Sequence, residues 1–495
     1  MVENSSSEKK LRFLFCLPTT ALSGGVKVAF ELIDRLTFDG HCVDVFSFAG
    51  PPKWTALKAR LRPEKNIEDL KFSNYDFVLV TNAFFLPMVL PHADGARVIF
   101  FCQDYECFHH SRDKTYAGFM EECATFAEIY RLPVPIIAVS QAVRQLIKDR
   151  LGKNSYYAPV GLNKSVFCPQ PRKVPTDVKR VLMVGNYLMP YKGMKDGFQA
   201  LEQLSNEMPI QLVLITQEHR NRKLLTNYSF PVEIHYCPIE DQIPAIIASC
   251  DLYCCTSWYE GLGLPALEAF RCGVPVVSTR TYGVSDYGID RVNILLARPN
   301  NPVDLYEKLR EVLLDNQLAE RLRLAAFASV DVDYDWDRSL AMFKDAIAEI
   351  QRSYTPPEWI DPAYLRSLLQ DLENEGNLTP IETFRHFQQL SDELNLLCSN
   401  MLSKKLSLIK FTEKLQSLRN AFRRYLQNKR AEYYDAFKAK YDLCQLIFGL
   451  TDEDEFSHYL KVIMAGRREG EIANTASFVE IRYTEQQSAT RALDQ

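Results

Sequence analysis

Two glutamates that frame a glycine-containing turn are the residues best suited to chemistry. Glu260 begins and Glu268 ends the segment 260–268, whose sequence is EGLGLPALE. A helix that starts in such a turn presents backbone N–H groups around Gly263 and Leu264, and a helix start of this kind attracts phosphate. Carboxylates beside the phosphate would accept hydrogen bonds from hydroxyl groups. The pattern predicts a site for a nucleoside diphosphate that is linked to a sugar or another polyol.

Apolar runs place this segment between two predicted strands. Residues 252–255 form the run before it and residues 274–278 the run behind it. Pro265 suits the first position of the intervening helix, and Gly273 suits the position just after its end. The stretch therefore predicts one βαβ unit of a parallel sheet, in which ligands collect at the carboxyl ends of the strands. Each acid alone has a simpler explanation, as a partner of the helix dipole in the first turn or as a solvated loop acid.

The segment 260–277 resembles the E-x7-E signature of retaining, nucleotide-sugar-dependent glycosyltransferases of family four, which have the GT-B fold. In that family the first glutamate contacts hydroxyls of the transferred sugar and the second contacts the nucleotide ribose, so the resemblance assigns these roles to Glu260 and Glu268. Lys192, in the loop after another predicted strand, resembles the family lysine that holds the diphosphate. Without the resemblance, Lys192 would be an ordinary surface lysine. The similarity extends over roughly residues 11–350.

Two further loops resemble phosphate-binding positions of the family. Gly24 and Gly25 open the first βα loop, which in the family lies against the donor diphosphate across the interdomain cleft. A tight turn without a ligand is the alternative explanation for this pair. Gly283 and Val284 lie in a loop that resembles the one whose backbone amides meet the β-phosphate. The resemblance therefore places all four residues at the donor.

Asn186 departs from the family pattern. The family usually has arginine after the glycine that ends this strand, and here Asn186 follows Gly185. The exchange removes one positive charge from the expected phosphate clamp, in which Asn186 would still take part. Arg280 and Arg291 are the candidate replacements.

A polar loop in the N-terminal half is the candidate acceptor or sugar contact. Residues 103–106, with the sequence QDYE, follow a predicted strand and resemble a stretch of polysaccharide-type, often rhamnosyl, transferases of the family. His109 follows them, and we predict that it touches the transferred sugar. The alternative is that His109 and His110 are solvated, since they lack the further ligands that a metal site needs.

Composition indicates a multidomain globular protein. The chain has 495 residues, of which 47% are hydrophobic and 24% charged, and its net charge of −5 gives no general attraction to nucleic acid. Its 13 cysteines are scattered without paired C-x-x-C motifs, which predicts reduced thiols and a cytoplasmic protein. Residues 1–10 form a polar tail that does not resemble a signal peptide, and no apolar run has the length of a membrane span.

Strands and helices alternate in two successive series, which predicts an α/β protein with two Rossmann-like, doubly wound parallel sheets. We assign residues 11–171 to an acceptor-side domain and residues 172–353 to a nucleotide-sugar domain. A helix over residues 336–350 is predicted to cross back to the first domain. The strand signal disappears from residue 354 onward, which predicts an α-helical extension over residues 354–495.

The extension contains a basic segment with a helical apolar seam, which predicts a coiled coil or helical hairpin. Residues 401–440 hold eleven lysines and arginines against three acids, a net charge of +8. We expect the segment to meet an anionic membrane surface, which would make the protein peripheral at the inner face, or to mediate self-association. The basic positions are 404, 405, 410, 414, 419, 423, 424, 429, 430, 438 and 440.

These features predict a retaining glycosyltransferase that moves a sugar from a nucleoside diphosphate-sugar to a glycan or lipid-linked acceptor. We expect no further cofactor and no metal ion, and interpret Asp331 and Asp333 as part of a solvated turn. One alternative is a catalytically inactive GT-B scaffold that binds partners through its tail, which the departure at Asn186 favours. The other is an NADP-dependent oxidoreductase, because residues 261–266 fit G-x-G-x-x-A. The acid that would hold an NAD ribose is replaced by Arg280 and its neighbours.

Overall fold

The computed structural model describes residues 10–52, 54–64, 66–108, 115–169, 177–218, 222–354 and 361–375, with no side chain described at 222–224, 331–333 or 373. The described residues belong to one compact unit, Met1–Asn377. His109 and the basic segment 401–440 lie outside the described residues, as does the predicted extension beyond residue 375.

The first sheet has seven parallel strands in the order β3-β2-β1-β4-β5-β6-β7. Its central strands are buried along nearly their whole length, as expected for a sheet covered on both faces. The strands are β1 (Arg12–Leu17), β2 (Cys42–Ser47), β3 (Arg60–Leu61), β4 (Phe77–Val80), β5 (Arg97–Cys102), β6 (Ile136–Ala138) and β7 (Tyr156–Tyr157). The helices are α1 (Gly24–Phe38), α2 (Leu86–Val89), α3 (Tyr116–Phe119), α4 (Ala124–Arg131) and α5 (Gln141–Leu151).

The second sheet has six parallel strands in the order β10-β9-β8-β11-β12-β13. The strands are β8 (Lys179–Val184), β9 (Ile210–Thr216), β10 (Val232–Tyr236), β11 (Leu252–Cys255), β12 (Val276–Thr279) and β13 (Leu295–Ala297). The helices are α6 (Met194–Ser205), α7 (Ile243–Ala248), α8 (Leu264–Arg271), α9 (Pro302–Leu314) and α10 (Asn316–Asp333). The strand order reverses between β8 and β11, a point where doubly wound sheets bind ligands. The prediction of two Rossmann-like domains is confirmed.

Two segments connect the domains at one place. The amide of Leu162 donates to the Tyr334 carbonyl at 3.0 Å. A Cβ on Gly161 would lie 2.6 Å from the Cα of Trp336, so only glycine allows this approach. Helix α11 (Trp336–Ser353) then packs against α1 and β7, which confirms the predicted crossing helix.

Helix α12 (Pro362–Asn374) also lies on the first domain, where it packs against α2 and α4. Its buried face presents leucines one turn apart, at Leu365, Leu368 and Leu372. The first described part of the predicted helical extension is therefore helical and belongs to the same compact unit as the two sheets.

Local predictions were wrong or incomplete where an element is short or where tertiary contacts determine where it begins and ends. Residues 115–130 hold two helices, α3 and α4, because the chain turns between them so that the Cys123 amide donates to the Cys107 carbonyl at 2.9 Å. The predicted turn at 331–333 is wrong, since α10 continues through Asp333 and no glycine or proline lies between residues 317 and 335 to end it. Strands β3 and β13, of two and three residues, were too short for a periodic signal.

Candidate active site

The turn after β11 has the geometry that its glycines predict. Gly263 has φ of +91°, and a Cβ there would lie 2.9 Å from the Tyr287 hydroxyl. Helix α8 begins at Leu264, so Glu268 lies in its second turn rather than its first. The helix dipole acts mainly on the first turn, and the simpler explanation of Glu268 as a dipole partner therefore fails.

Lys192 and Glu260 form an ion pair although 68 positions separate them. The Lys192 Nζ lies 2.8 Å from Glu260 Oε1, and the same oxygen accepts a hydrogen bond from Ser257 Oγ at 2.6 Å. Burial lowers the pKa of Lys192, but the negative charge of Glu260 outweighs burial and raises the pKa overall. Lys192 is therefore a fixed cation at the carboxyl ends of β8 and β11.

Glu268 is buried, with 9% of its surface exposed. Helix α1 of the first domain covers it, and the Lys27 Nζ lies 3.8 Å from its Oε1. Lys27 also contacts Glu240 Oε1 at 2.8 Å. Burial raises the pKa of Glu268, Lys27 lowers it and Glu240 raises it, with a net rise. Sequence reasoning missed Lys27 and Glu240, which belong to opposite domains.

The Gly24-Gly25 pair lies in the first turn of α1, which Ser23 caps by accepting from the Val26 amide. A Cβ added to Gly24 would meet nothing within 4 Å, while one on Gly25 would lie 3.4 Å from the Gln103 side chain. The protein itself therefore does not require glycine at position 24. A ligand that approaches the backbone would require it.

The amides of Gly283 and Val284, predicted to meet phosphate, have protein partners. Gly283 donates to the Glu260 carbonyl at 2.9 Å, and Val284 donates to Thr281 Oγ1 at 3.4 Å. A Cβ on Gly283 would lie 2.6 Å from the Leu262 nitrogen. This loop supports the segment that bears Glu260, and its predicted contact with phosphate stays a prediction.

Asn186 is held by its own loop. Its Oδ1 accepts from the Leu188 amide at 2.9 Å, and its Nδ2 donates to the buried Glu218 at 3.3 Å. Each suggested replacement arginine pairs with an acid of its own. Arg280 is 58% exposed and pairs with Asp290, whereas Arg291 is 56% exposed and pairs with Glu311. These contacts give no support to either arginine as the replacement for the missing charge.

Backbone contacts join the glycine turn to the first domain. A Cβ on Gly261 would lie 2.4 Å from the Gln103 carbonyl oxygen, so the two loops touch through main chain. Ser140 Oγ donates to the Gly261 carbonyl at 2.6 Å. The Tyr105 amide donates to the Tyr259 hydroxyl at 2.9 Å. The predicted loop at 103–106 therefore lies beside Glu260 and closes one wall of the site.

Asp286 makes a second contact between the domains that the sequence did not predict. Its carboxylate accepts from the amides of Gln141 and Ala142 at 2.6 and 2.8 Å, at the start of α5. Burial raises the pKa of Asp286 and the two amides lower it, with a net rise. A residue of one domain thus satisfies orphan donors of a helix in the other.

Aromatic side chains cover the outer side of the Lys192 loop. Phe119 of α3 stacks on Tyr191 with ring centroids 5.3 Å apart, and Tyr116 meets Trp258 edge to face at 5.7 Å. The Trp258 indole donates to the buried Asp196 at 2.9 Å. These contacts restrict water around the Lys192–Glu260 pair, and a lower local dielectric strengthens that pair.

Glu106, the last residue of the predicted sugar-contact loop, is turned into the first domain. Both carboxylate oxygens accept from the Ala83 amide, at 3.0 and 3.2 Å. Burial raises the pKa of Glu106 to about 8. Glu106 therefore supports the loop from inside.

The described residues contain neither a cluster of metal ligands nor a membrane-spanning helix. No three His, Cys, Asp or Glu side chains among them are grouped as metal ligands would be. No helix in the described ranges has both the length and the apolar character needed to cross a membrane.

Parts of this chain are similar in sequence to known proteins. Residues 169–328 match the family described as Glycosyl transferases group 1, a range that includes Lys192, Glu260 and Glu268. An uncharacterized glycosyltransferase of Methanocaldococcus jannaschii is 27% identical over 194 residues, which cover 38% of this chain and 52% of that protein. The MMP alpha-(1->4)-mannosyltransferase of Mycolicibacterium hassiacum is 24% identical over 205 residues, covering 39% and 49%. The chain thus spans about half the length of these relatives.

The likeness of folds extends over both domains. The structure of Anabaena HepE in complex with UDP-glucose superposes with a TM-score of 0.57 at 16% identity, covering 68% of this chain and 100% of that one. At this identity the likeness establishes the fold. The described residues therefore adopt the GT-B fold, and residues 169–328 within it match the family described as Glycosyl transferases group 1.

Proposed function

We propose that the protein is a retaining glycosyltransferase that uses a nucleoside diphosphate-sugar and needs no metal ion. The observation that supports this most directly is the Lys192–Glu260 pair at 2.8 Å, with the buried Glu268 one helical turn into α8. A cation for a diphosphate and two carboxylates for hydroxyl groups stand at the strand ends where such sheets bind nucleotides. The match to a glycosyltransferase family covers all three residues.

Lys192 would act on the leaving group. In the proposed reaction the bond between the anomeric carbon and the phosphate oxygen breaks, and its electron pair goes to the diphosphate. Lys192 stabilises that charge electrostatically, because its ammonium is already fixed in a partly dry site. Glu260 would then exchange the ammonium for hydroxyl groups of the sugar.

Retention would follow from attack on the same face. The acceptor oxygen forms its bond to the anomeric carbon on the face that the diphosphate leaves, and its proton passes to the departing phosphate oxygen. Glu260 Oε1 already accepts from Lys192 and Ser257, which suits a carboxylate that orients groups rather than a nucleophile. This scheme requires no covalent intermediate on the protein.

The acceptor would enter from the first domain, past the loop at 103–106. A glycan or lipid-linked acceptor is the proposal, with His109 beside the transferred sugar. The relative from Mycolicibacterium hassiacum is a mannosyltransferase, and HepE was crystallised with UDP-glucose. The similarity to these two proteins supports a hexose donor. The experiment below identifies the base and the sugar of that donor.

The test is a panel of nucleoside diphosphate-sugars with the full chain. We expect one donor to lose its sugar with release of nucleoside diphosphate, and NMR of the product to show the donor's anomeric configuration. EDTA should leave the rate unchanged. Inverted configuration would contradict retention, and loss of activity restored only by Mg²⁺ or Mn²⁺ would contradict metal independence.

A catalytically inactive scaffold remains the second candidate because Asn186 leaves the phosphate clamp without its arginine. In that case nucleotides would bind without turnover of any donor in the panel. Nucleotide binding and donor hydrolysis, measured on the same preparation, separate the two functions.

A further inference from the structure

Lys27 stands in a place that the stability of its own helix does not explain. It is the fourth residue of α1, and a cation in the first turn opposes the positive end of the helix dipole. Its side chain is 22% exposed and reaches Glu240 and Glu268 in the other domain. The ion-pair partners of Lys27 therefore lie across the cleft, while its own domain adds the charge of Glu31 and the Phe167 ring, whose centroid is 5.9 Å from Nζ.

The site has more carboxylates than ammonium groups among the side chains that the structure describes. There, the ion-pair partners of Glu240, Glu260 and Glu268 are Lys27 and Lys192. A nucleoside diphosphate-sugar would bring further negative charge to this place. Its neutral hydroxyl groups can replace an ammonium on a carboxylate, whereas its phosphates need a cation in the vicinity.

We propose that Lys27 is the second cation of the diphosphate site and that it changes partners when the donor binds. This inference rests on the proposed function. In this structure Lys27 holds Glu240 and lies near Glu268. With donor bound, ribose hydroxyls take Glu268 and the Lys27 ammonium turns to the diphosphate. Lys27 of the first domain thereby supplies the positive charge that is missing from the second domain, where Asn186 takes the place of the family arginine.

Two features of the structure agree with this exchange. Gly24, one turn before Lys27, has open space where a side chain would lie, so a phosphate can approach the start of α1. Arg280 and Arg291, the other candidate cations, are bound to surface acids and more than half exposed. A lysine on a flexible four-carbon stem can move between partners in a way that a rigidly paired arginine cannot.

The experiment is calorimetric titration of the full chain with UDP, GDP and ADP and with the matching nucleosides. The variants are Lys27→Met, Lys27→Arg and a matched control, Lys148→Met, which removes an exposed lysine from α5 of the same domain. We expect Lys27→Met to weaken binding of the preferred nucleoside diphosphate by about tenfold or more and to change nucleoside binding by less than about twofold. Lys27→Arg should restore most of the loss, and Lys148→Met should behave like the parent chain.

Glu240→Gln tests the release step. Removing the competing carboxylate frees Lys27, so the affinity for the nucleoside diphosphate should rise while that for the nucleoside stays the same. Equal losses for nucleotide and nucleoside in Lys27→Met would mean a merely structural role and overturn the inference, as would an unchanged nucleotide affinity. If the parent chain binds the diphosphate and Lys27→Met binds it equally, the inference falls and the proposed function stands. If the parent chain binds no nucleotide, both fall.

Discussion

At the scale of single residues, each lysine of the site is held by a carboxylate of the same site. Lys192 is held by Glu260 at 2.8 Å, and Lys27 is held by Glu240 at the same distance. A buried charge without a partner would cost several kcal/mol, so this pairing stabilises the site. Under the proposed function, a donor would therefore exchange partners with these lysines rather than fill vacant hydrogen-bond positions.

Lys192→Met is expected to lower kcat/KM by about 2–4 kcal/mol of transition-state stabilisation, because it removes the fixed positive charge from the leaving group. Glu268→Gln should mainly raise KM, since its proposed role is to bind the ribose. Steady-state kinetics with the donor found in the panel measures both. Lys195→Met, which changes an exposed lysine three positions away, is the control. Wild-type kinetics in Lys192→Met would remove that lysine from the site.

Glu106 predicts a dependence of stability on pH. Burial raises its pKa to about 8 in the folded protein, whereas an unfolded glutamate titrates near about 4.3. Between these values the folded state binds a proton that the unfolded state has released, so the contribution of Glu106 to stability falls as pH rises from about 4 to about 8.

The side chain that replaces Glu106 in Glu106→Gln cannot ionise, so this variant should not lose stability in this way as pH rises. Relative to the parent chain, we expect its free energy of unfolding to rise by on the order of 2–4 kcal/mol between pH 5 and pH 8.5. Denaturant titrations at the two pH values measure this change, with the exposed Glu121→Gln as control. A constant difference between variant and parent at both pH values would contradict the prediction.

At the scale of elements, the turn between β11 and α8 is held by the loop after β5. Gly261 lies against the Gln103 carbonyl, and Ser140 at the start of α5 binds the Gly261 carbonyl. The turn that presents Glu260 thus has its shape completed by the other domain. The geometry of the proposed catalytic site therefore depends on the same contacts that join the two domains.

Gly261→Ala should separate the two loops, because the new Cβ would lie 2.4 Å from the Gln103 oxygen. We expect kcat/KM to fall by about tenfold or more and the second domain to stay folded. Hydrogen exchange of peptides that contain the Tyr105 and Ala142 amides should accelerate, since both amides bond across the interface. Gly50→Ala, at an exposed glycine with open space around it, is the control. Unchanged exchange at these amides would mean that the loops adapt to the methyl group.

At the scale of the whole molecule, the two sheets and the crossing helix were predictable and the contacts between domains were not. Apolar runs bounded by Gly263 and Gly273 predicted β11, α8 and β12, because glycine and proline restrict the backbone locally. Asp286 and Glu240 depend on how one domain lies against the other, for which a single sequence has no periodic signal. The sequence does contain one indication of Lys27, because it is a cation in the first turn of a helix, where the helix dipole disfavours positive charge.

The basic segment at 401–440 predicts attachment of the whole chain to anionic lipid. Each lysine or arginine near such a surface contributes about 1 kcal/mol, so three or four suffice for reversible binding. The full chain should co-sediment with vesicles that contain phosphatidylserine at low salt and detach at high salt.

Arg423→Gln combined with Arg424→Gln should weaken vesicle binding, while the same change at the exposed Arg352 and Arg366 should not. The full chain could instead fail to bind vesicles while the Arg423→Gln and Arg424→Gln changes lower its mass in sedimentation. In that case the segment serves self-association.

Some of the contacts that close the cleft are made by the main chain of the first domain: the Gln103 carbonyl and the amides of Tyr105, Gln141 and Ala142. Main-chain groups are the same whatever side chains surround them. These contacts can therefore persist while the first domain changes in sequence, whereas the contacts of Lys27, Tyr116 and Phe119 depend on the side chain. Chimeras that join residues 177–354 to the first domain of a distant GT-B protein should therefore dock once those side-chain contacts are rebuilt.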